Sequence, residues 1–362
     1  MTRPVSETPA AWDPDAFRAS VQSALLQFVD EQGVRLQPLG EDAQRLVGAA
    51  RESVLGGKRL RAAFCYWGYR SVRADVDDEP ALVRAAAALE LLHASALVHD
   101  DYMDSSDTRR GRPATHKAFE ALHRRQGWRG NPEQYGASAA ILLGDLLLSW
   151  SDQLLRECGL PHVAVDQALP FFDTTRREVI AGQFLDVSVQ ARGESDVEQA
   201  MRVLRYKSAK YSVERPLHVG AALAGADAGT LEALTRFGLP LGEAFQLRDD
   251  LLGVYGDPEV TGKPAGDDLT EGKRTVLVAL ALGRAPATEA KRLDSVLGSA
   301  LTVAEVEELR RIIEASGAHA EVERRIDDLT STSLAALEEA PVTEIARGML
   351  RQLAAAATQR VI

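Results

Sequence analysis

Cysteine is nearly absent. Only Cys65 and Cys158 occur in 362 residues. They are far apart and lack metal-ligand spacing, so neither a disulfide framework nor a thiolate metal centre is expected. A reducing, cytoplasmic setting follows as the expectation. Alternating β-branched runs are also scarce, which argues against a sheet. No apolar run reaches the roughly 20 residues that span a bilayer. The stretch Ala137–Leu148, for example, is interrupted by Gly144 and Asp145. Met1 to Phe17 carries Pro4, Pro9 and Pro14 and no apolar h-region, so it does not read as a signal peptide. Positive charge is in deficit, with 42 Lys and Arg against 53 Asp and Glu and a net charge of −11. A broad nucleic-acid footprint is thereby excluded.

What is present is a helix-forming interior rich in Ala, Leu, Glu and Arg. Apolar residues recur at helical spacing in Leu82–Val98, Ala137–Leu155, Val197–Tyr211, Leu231–Leu252 and Val276–Leu282. The first two stretches are apolar nearly all round, which places them at the centre of a bundle. Helix stops fall at Gly56-Gly57, Gly111-Arg112-Pro113, Gly127–Pro132, Gly159-Leu160-Pro161 and Gly225–Gly229. The expectation is an all-α chain, with a flexible lead-in over residues 1–15 and one helical domain over 16–362. The polar tail Thr302–Ile362 is expected to pack as surface helices.

Two acidic clusters stand out. In Asp100-Asp101-Tyr102-Met103-Asp104, the carboxylates of Asp100 and Asp104 lie one helical turn apart. Like charges at that spacing repel unless a cation sits between them. Mg²⁺ takes oxygen ligands and is often shared with substrate phosphates. An acidic helix end is the ordinary alternative, but this cluster closes the apolar run Leu89–Val98. The second cluster, Asp249-Asp250, follows Phe245-Gln246-Leu247-Arg248, and Gln246, Asp249 and Asp250 share a helix face. A bundle can set two such helices opposite each other with metal between them. A simple cap or surface pair is the alternative.

Cations flank both clusters. Gly56-Gly57-Lys58-Arg59-Leu60-Arg61 joins a glycine pair to three cations at a helix start, where anions are favoured. Arg109-Arg110-Gly111-Arg112-Pro113 trails the first cluster, and paired arginines suit phosphate. Lys207-Ser208, Lys263 and Lys273-Arg274 follow. Each alone could be a solvated face. Together they place positive charge beside two metal-type sites in an acidic chain, as a metal–diphosphate assembly requires.

From Gly56 to Val276 these ordered motifs, with Gly182-Gln183-Phe184-Leu185-Asp186 among them, resemble the trans-isoprenyl diphosphate synthases, or polyprenyl synthetases. The resemblance is greatest to geranylgeranyl diphosphate synthases. It implies a helical bundle around a central cavity, three Mg²⁺ ions and a homodimer. It further implies that Lys58, Arg61, His93 and Arg110 bind isopentenyl diphosphate. Arg109, Lys207, Ser208, Gln246, Lys263 and Lys273 would hold the allylic diphosphate. Asp100 and Asp104 would bind two Mg²⁺ ions and Asp249 the third, with Asp101, Asp186 and Asp250 in support. The second motif departs from the usual family pattern, because Gly253 stands where a third aspartate is common. This shifts the expectation for the third metal towards Asp249 and Asp267 or Asp268.

The implied reaction ionises an allylic diphosphate and adds isopentenyl diphosphate to the cation. Metal and cations neutralise the leaving group, and an apolar surround that includes Phe245 excludes water. The growing chain is expected to run back along the helix that bears Asp100. Ala96, Ser95 and Leu92 would then form its floor, with about 11 Å of depth in two turns. Small residues at the two nearer positions point to a C20 product from dimethylallyl, geranyl or farnesyl primers. Ser95 and Ala96 could instead be helix-packing residues. A farnesyl or longer-chain synthase, a class I terpene cyclase and a non-catalytic synthase subunit are the competing readings. Lys58, Arg61 and the Arg109-Arg110 pair count against the cyclase, and the intact aspartates count against the subunit.

Overall fold

A computed structural model describes residues 12–256 and 266–359. The chain opens with α1 (Pro14–Leu36), α2 (Glu41–Ser53) and α3 (Leu60–Val72), and continues to α4 (Glu79–Met103). Asp13 caps α1 and Asp78 caps α4, each accepting from backbone N–H groups of the first turn. Trp12 already packs on Trp67 and Phe17. A two-residue hairpin, β1 (Thr108–Arg109) and β2 (Arg112–Pro113), separates α4 from α5 (Thr115–Gln126). Then come α6 (Pro132–Arg156) and α7 (His162–Arg192). The next helix runs as α8 (Val197–Val203), a π-helical stretch (Leu204–Glu214) and α9 (Arg215–Leu223). The last third holds α10 (Ala228–Tyr255), α11 (Asp267–Thr270), α12 (Val276–Arg284), α13 (Ala287–Val296), α14 (Val303–Ala315), α15 (Ala318–Glu339) and α16 (Glu344–Thr358).

Two apolar clusters hold these helices. One joins α1, α3, α4, α6, α7, α9, the first half of α10 and α16; the other joins α8, the second half of α10 and α12 to α15. Helix α10 runs through both, with Phe237 and Leu241 in the first and Leu247, Leu251 and Val254 in the second. At the centre, α4 is sealed by Ala85, Ala86, Ala87, Ala88 and Leu89, all 0% exposed. Contrary to the sequence expectation, α4 is long and apolar enough by composition to cross a membrane; 78% of that window is buried inside the fold.

Two further expectations need correction. Helix α6 is apolar all round without being buried all round. Leu143, Gly144 and Leu147 pack inward, while Ile141 and Leu142 are 45% and 59% exposed. Helix α7 likewise exposes Ile180, Phe184 and Val187. The tail is also more than a surface layer. Ser333 of α15 is fully buried and donates to the Phe237 carbonyl (2.7 Å). Arg248 of α10 forks onto Glu323 at 2.6 and 2.7 Å. Leu350, Ala354 and Ala357 of α16 complete the first cluster. The tail helices carry polar residues on their outer faces and apolar ones at i, i+3 and i+4 facing in.

Candidate active site

Asp100 lies in the last turn of α4, and Asp104 is the residue that ends it. Facing them is the π-helical stretch, a conformation that often marks functional sites. It presents Lys207, whose Nζ lies 3.1 Å from Asp100 Oδ1 and 2.6 Å from Asp186 Oδ2. Gln183 Nε2 donates to Asp100 Oδ1 (2.8 Å). This convergence depends on Gly182: a Cβ there would sit 2.5 Å from the Lys207 backbone nitrogen. Glycine therefore lets α7 touch the π backbone. Burial alone would raise the Asp100 carboxyl, but the Lys207 and Lys273 charges outweigh it and hold the group at about 2. Asp104 is pushed up to about 6 by burial and then by the Asp100 charge. Lys207 is drawn down by burial, yet the Asp100 and Asp186 carboxylates raise it above the ordinary lysine value, so it stays charged.

The arginine pair divides. Arg109 bonds Asp101 through Nε (2.8 Å) and Nη2, so Asp101 supports the first motif by anchoring the hairpin. Arg110 adopts a positive φ at the hairpin tip and turns away, donating to the Leu55 carbonyl (2.6 Å) beside Gly57. It thus joins the loop that bears the exposed Lys58. Arg59, counted in the sequence as one of three cations for anions, is structural. It is 5% exposed and pairs with Glu90 at 3.3 Å. Glu90 also accepts from the Ala62 backbone (3.1 Å) and so fixes the start of α3.

Arg61 and His93 meet through Tyr211, a residue the sequence reading missed. His93 Nδ1 is 2.5 Å from the Tyr211 hydroxyl. The Arg61 guanidinium sits 4.1 Å from the Tyr211 ring centroid and donates to Ser212 Oγ (2.8 Å). Burial, and then the Arg61, Arg110 and Arg109 charges, hold His93 well below its ordinary value, so its ring is neutral.

On α10, Gln246 donates to Asp250 Oδ1 (2.8 Å). Asp250 is pushed up to about 8 by burial and then by the Asp268 carboxylate. Asp249 is partly accessible beside it, and Phe245 is buried one turn earlier. Lys273 binds the two acidic sets together. Its Nζ lies 3.4 Å from Asp104 Oδ2 and 3.5 Å from Asp268 Oδ1, so those two oxygens are no more than about 7 Å apart. The same ammonium pairs with Glu271, which accepts from Ser106 Oγ (2.6 Å) and so ties the segment after α11 to the end of α4. Ser208 is partly accessible next to Lys207. Lys263 lies outside the described residues.

Of the floor residues, Ala96 is partly accessible on the side of α4 that bears Asp100, one turn away. Ser95 points elsewhere: it is 3% exposed and donates to the Gly144 carbonyl of α6 (2.7 Å). Leu92 is 2% exposed and belongs to the first apolar cluster.

Among the described residues, no three acidic, imidazole or thiol groups form a ready-made metal cage. Mg²⁺ commonly needs only one or two carboxylates and completes its shell with water and phosphate oxygens. The donor set here is of that hard oxygen type. Asp104 Oδ2 is buried, makes no hydrogen bond and faces the Lys273 ammonium at 3.4 Å, an acceptor already turned towards positive charge. The residues fit Mg²⁺, which Asp100 and Asp104 would hold, with the Lys207 and Lys273 ammonium groups beside them.

Comparison with known proteins gives a consistent result. A family model described as polyprenyl synthetase matches residues 43–315. A geranylgeranyl diphosphate synthase of Mycobacterium tuberculosis is 35% identical over 286 residues, covering 78% of this chain and 75% of the relative. A geranylfarnesyl diphosphate synthase of Aeropyrum pernix is 34% identical over 245 residues, covering 67% of this chain and 71% of the relative. A solved geranylgeranyl pyrophosphate synthase of Corynebacterium glutamicum, complexed with isoprenyl diphosphate and magnesium, superposes with a TM-score of 0.94. It is 41% identical, and the match covers 97% of this chain and all of that one.

Proposed function

The chain belongs to the polyprenyl synthetase family, and from that premise we propose that it condenses isopentenyl diphosphate with an allylic diphosphate to give geranylgeranyl diphosphate. The observation that carries this reading is the single Lys273 ammonium shared by Asp104 and Asp268. It supports a reading in which both acidic clusters face one site, since Asp268 also lies against Gly253 on α10, one turn after Asp249. Asp100 and Asp104 hold two Mg²⁺ ions and Asp249 helps hold a third. Lys207 and Lys273, with Arg109 behind them, take the allylic diphosphate. Bound Mg²⁺ supplies Lewis-acid neutralisation of charge on the departing diphosphate. Lys58, Arg61 and Arg110 hold the second diphosphate, and neutral His93 is oriented by Tyr211. Lys207 stays protonated and stabilises the leaving group electrostatically. Phe245 and the apolar wall of α4 exclude water from the carbocation.

Ala96 is small and partly accessible one turn before Asp100, which favours a C20 product over C15. Ile141 and Leu142 on α6 and Ile180, Phe184 and Val187 on α7 are exposed apolar side chains. In this reading a second copy of the chain covers them, giving a homodimer. A cytoplasmic setting agrees with two buried, unpaired thiols. The test is to incubate the protein with isopentenyl diphosphate, Mg²⁺ and each primer, and to measure the chain length of the dephosphorylated product. A C20 alcohol is expected. A C15 alcohol would overturn the product assignment, and no condensation would overturn the function.

A further inference from the structure

Gln22 is a half-buried residue of α1, 32 to 37 positions before the residues that its side chain reaches. Its Nε2 donates to the Val54 carbonyl (3.1 Å). Its Oε1 accepts from the Gly56 backbone N–H (3.0 Å) and from Arg59 Nη2 (2.7 Å). The neighbours fix which way the amide points, because a backbone N–H can only donate and a carbonyl can only accept. Arg59 Nη2 donates to the Val54 carbonyl as well. One side-chain amide from α1 thus joins the two ends of the loop that carries Lys58.

That loop needs bracing. Gly56 and Gly57 take φ of 68° and 95°, which glycine adopts freely. Arg59 takes φ 54° without that freedom. Left-handed backbone at a residue with a Cβ persists only where its surroundings over-determine it. Here they act on both arms of the guanidinium: Glu90 accepts from Nη1 (3.3 Å) and Gln22 from Nη2. Arg59 stands one residue after Lys58 and two before Arg61. The turn at Arg59 therefore sets how Lys58 is directed relative to Arg61. Lys207, on the allylic side, is held instead by Asp100 and Asp186, against Gly182.

We propose that Gln22 is a positioning residue for the reaction. It holds the loop from Val54 to Arg59 in the shape that aims Lys58 and Arg61 at one diphosphate, that of isopentenyl diphosphate. It acts through Gly56 and Arg59 rather than on the substrate. This rests on the function proposed above. Because the allylic cations are held by other elements, losing Gln22 should affect one substrate and spare the other.

The test measures isopentenyl diphosphate binding to the full-length protein by calorimetry, and KM for each substrate. Gln22→Leu keeps the bulk and removes all three hydrogen bonds. Gln22→Asn keeps the amide but is one methylene too short to join the loop ends, and it serves should the leucine variant fail to fold. Each should weaken isopentenyl diphosphate binding and raise its KM by about tenfold, within the roughly 10²-fold that a misplaced group can cost. KM for the allylic primer should stay at the wild-type value. Melting temperatures report folding separately. Gln27→Leu, on the exposed side of α1 where the amide pairs with Glu31 (2.9 Å), should match the wild type throughout. Wild-type affinity in the folded Gln22 variants would overturn the proposal and leave the function in place. An equal loss for both substrates would also overturn it, since that marks a general packing defect. A wild type that binds no isopentenyl diphosphate would overturn the proposed function as well.

Discussion

Lys273 Nζ lies 3.4 Å from Asp104 Oδ2, so a cation 169 residues beyond the first acidic motif neutralises its last carboxylate. Lys273 is drawn down by burial and raised well above the ordinary lysine value by Asp268, Glu271, Asp100 and Asp104. Replacing it by Met leaves these carboxylates facing one another. Without metal, Lys273→Met should cost about 3 kcal/mol, the scale for breaking a buried ion pair. Mg²⁺ should restore part of the loss, because it replaces the missing positive charge. Melting in EDTA and in Mg²⁺ checks this; equal losses in both would contradict it.

The raised carboxyls make metal binding depend on pH. Asp104 at about 6 and Asp250 at about 8 bind protons more tightly in the folded than in the unfolded chain. Their contribution to metal-free stability is full below about pH 4. It falls as pH rises through their folded values. Mg²⁺ must displace those protons. The melting shift produced by Mg²⁺ should therefore grow from pH 6 to pH 8, with protons released on binding. A shift that is constant over this range would contradict the coupling.

Asp100→Asn and Asp104→Asn remove a formal charge from the group proposed to hold the metal. Each should lower kcat by at least about 10²–10³-fold, the scale of losing one electrostatic stabiliser of a developing charge. The thermal effects differ in sign. Asp104→Asn should stabilise the metal-free protein by relieving repulsion with Asp100. Asp100→Asn should destabilise it by stranding Lys207. Steady-state rates and melting curves separate the two effects.

Ser95 and Ala96 should diverge. Ala96→Phe enters the partly accessible strip and should shorten the product with little loss of stability. Ser95→Phe enters the contact between α4 and Gly144 and should cost about 1–3 kcal/mol by overpacking. Product chain length and melting temperature distinguish them. An unchanged product from Ala96→Phe would move the floor elsewhere.

Phe184→Glu, at a position 73% exposed, should convert the proposed dimer into a monomer without unfolding the chain. Light scattering after size exclusion checks this. An unchanged mass would remove α7 from the interface.

Much of this site was legible because it is written in short-range patterns. Asp100 and Asp104 share a helix face by spacing alone, as do Gln246 and Asp250, and the latter pair is hydrogen-bonded (2.8 Å). The hairpin was not legible, because it depends on a positive φ at Arg110, and the division of Arg109 from Arg110 came from the resemblance and not from local pattern. Tyr211 was missed because its role exists only where α3, α4 and the π stretch meet. No helical periodicity announces a π turn. Arg59 was misjudged because its partner Glu90 lies 31 positions away and the pair is buried. The tail looked like surface because its charges are conspicuous, whereas Ser333 and Leu337, which enter the core, are not.

The most direct measurement is an anomalous difference map from crystals grown with Mn²⁺ and inorganic pyrophosphate. Peaks bridging the pyrophosphate to Asp100 and Asp104 on one side and to Asp249 on the other are predicted. Metal bound at one acidic set alone, with the other open to solvent and remote from the pyrophosphate, would contradict the account.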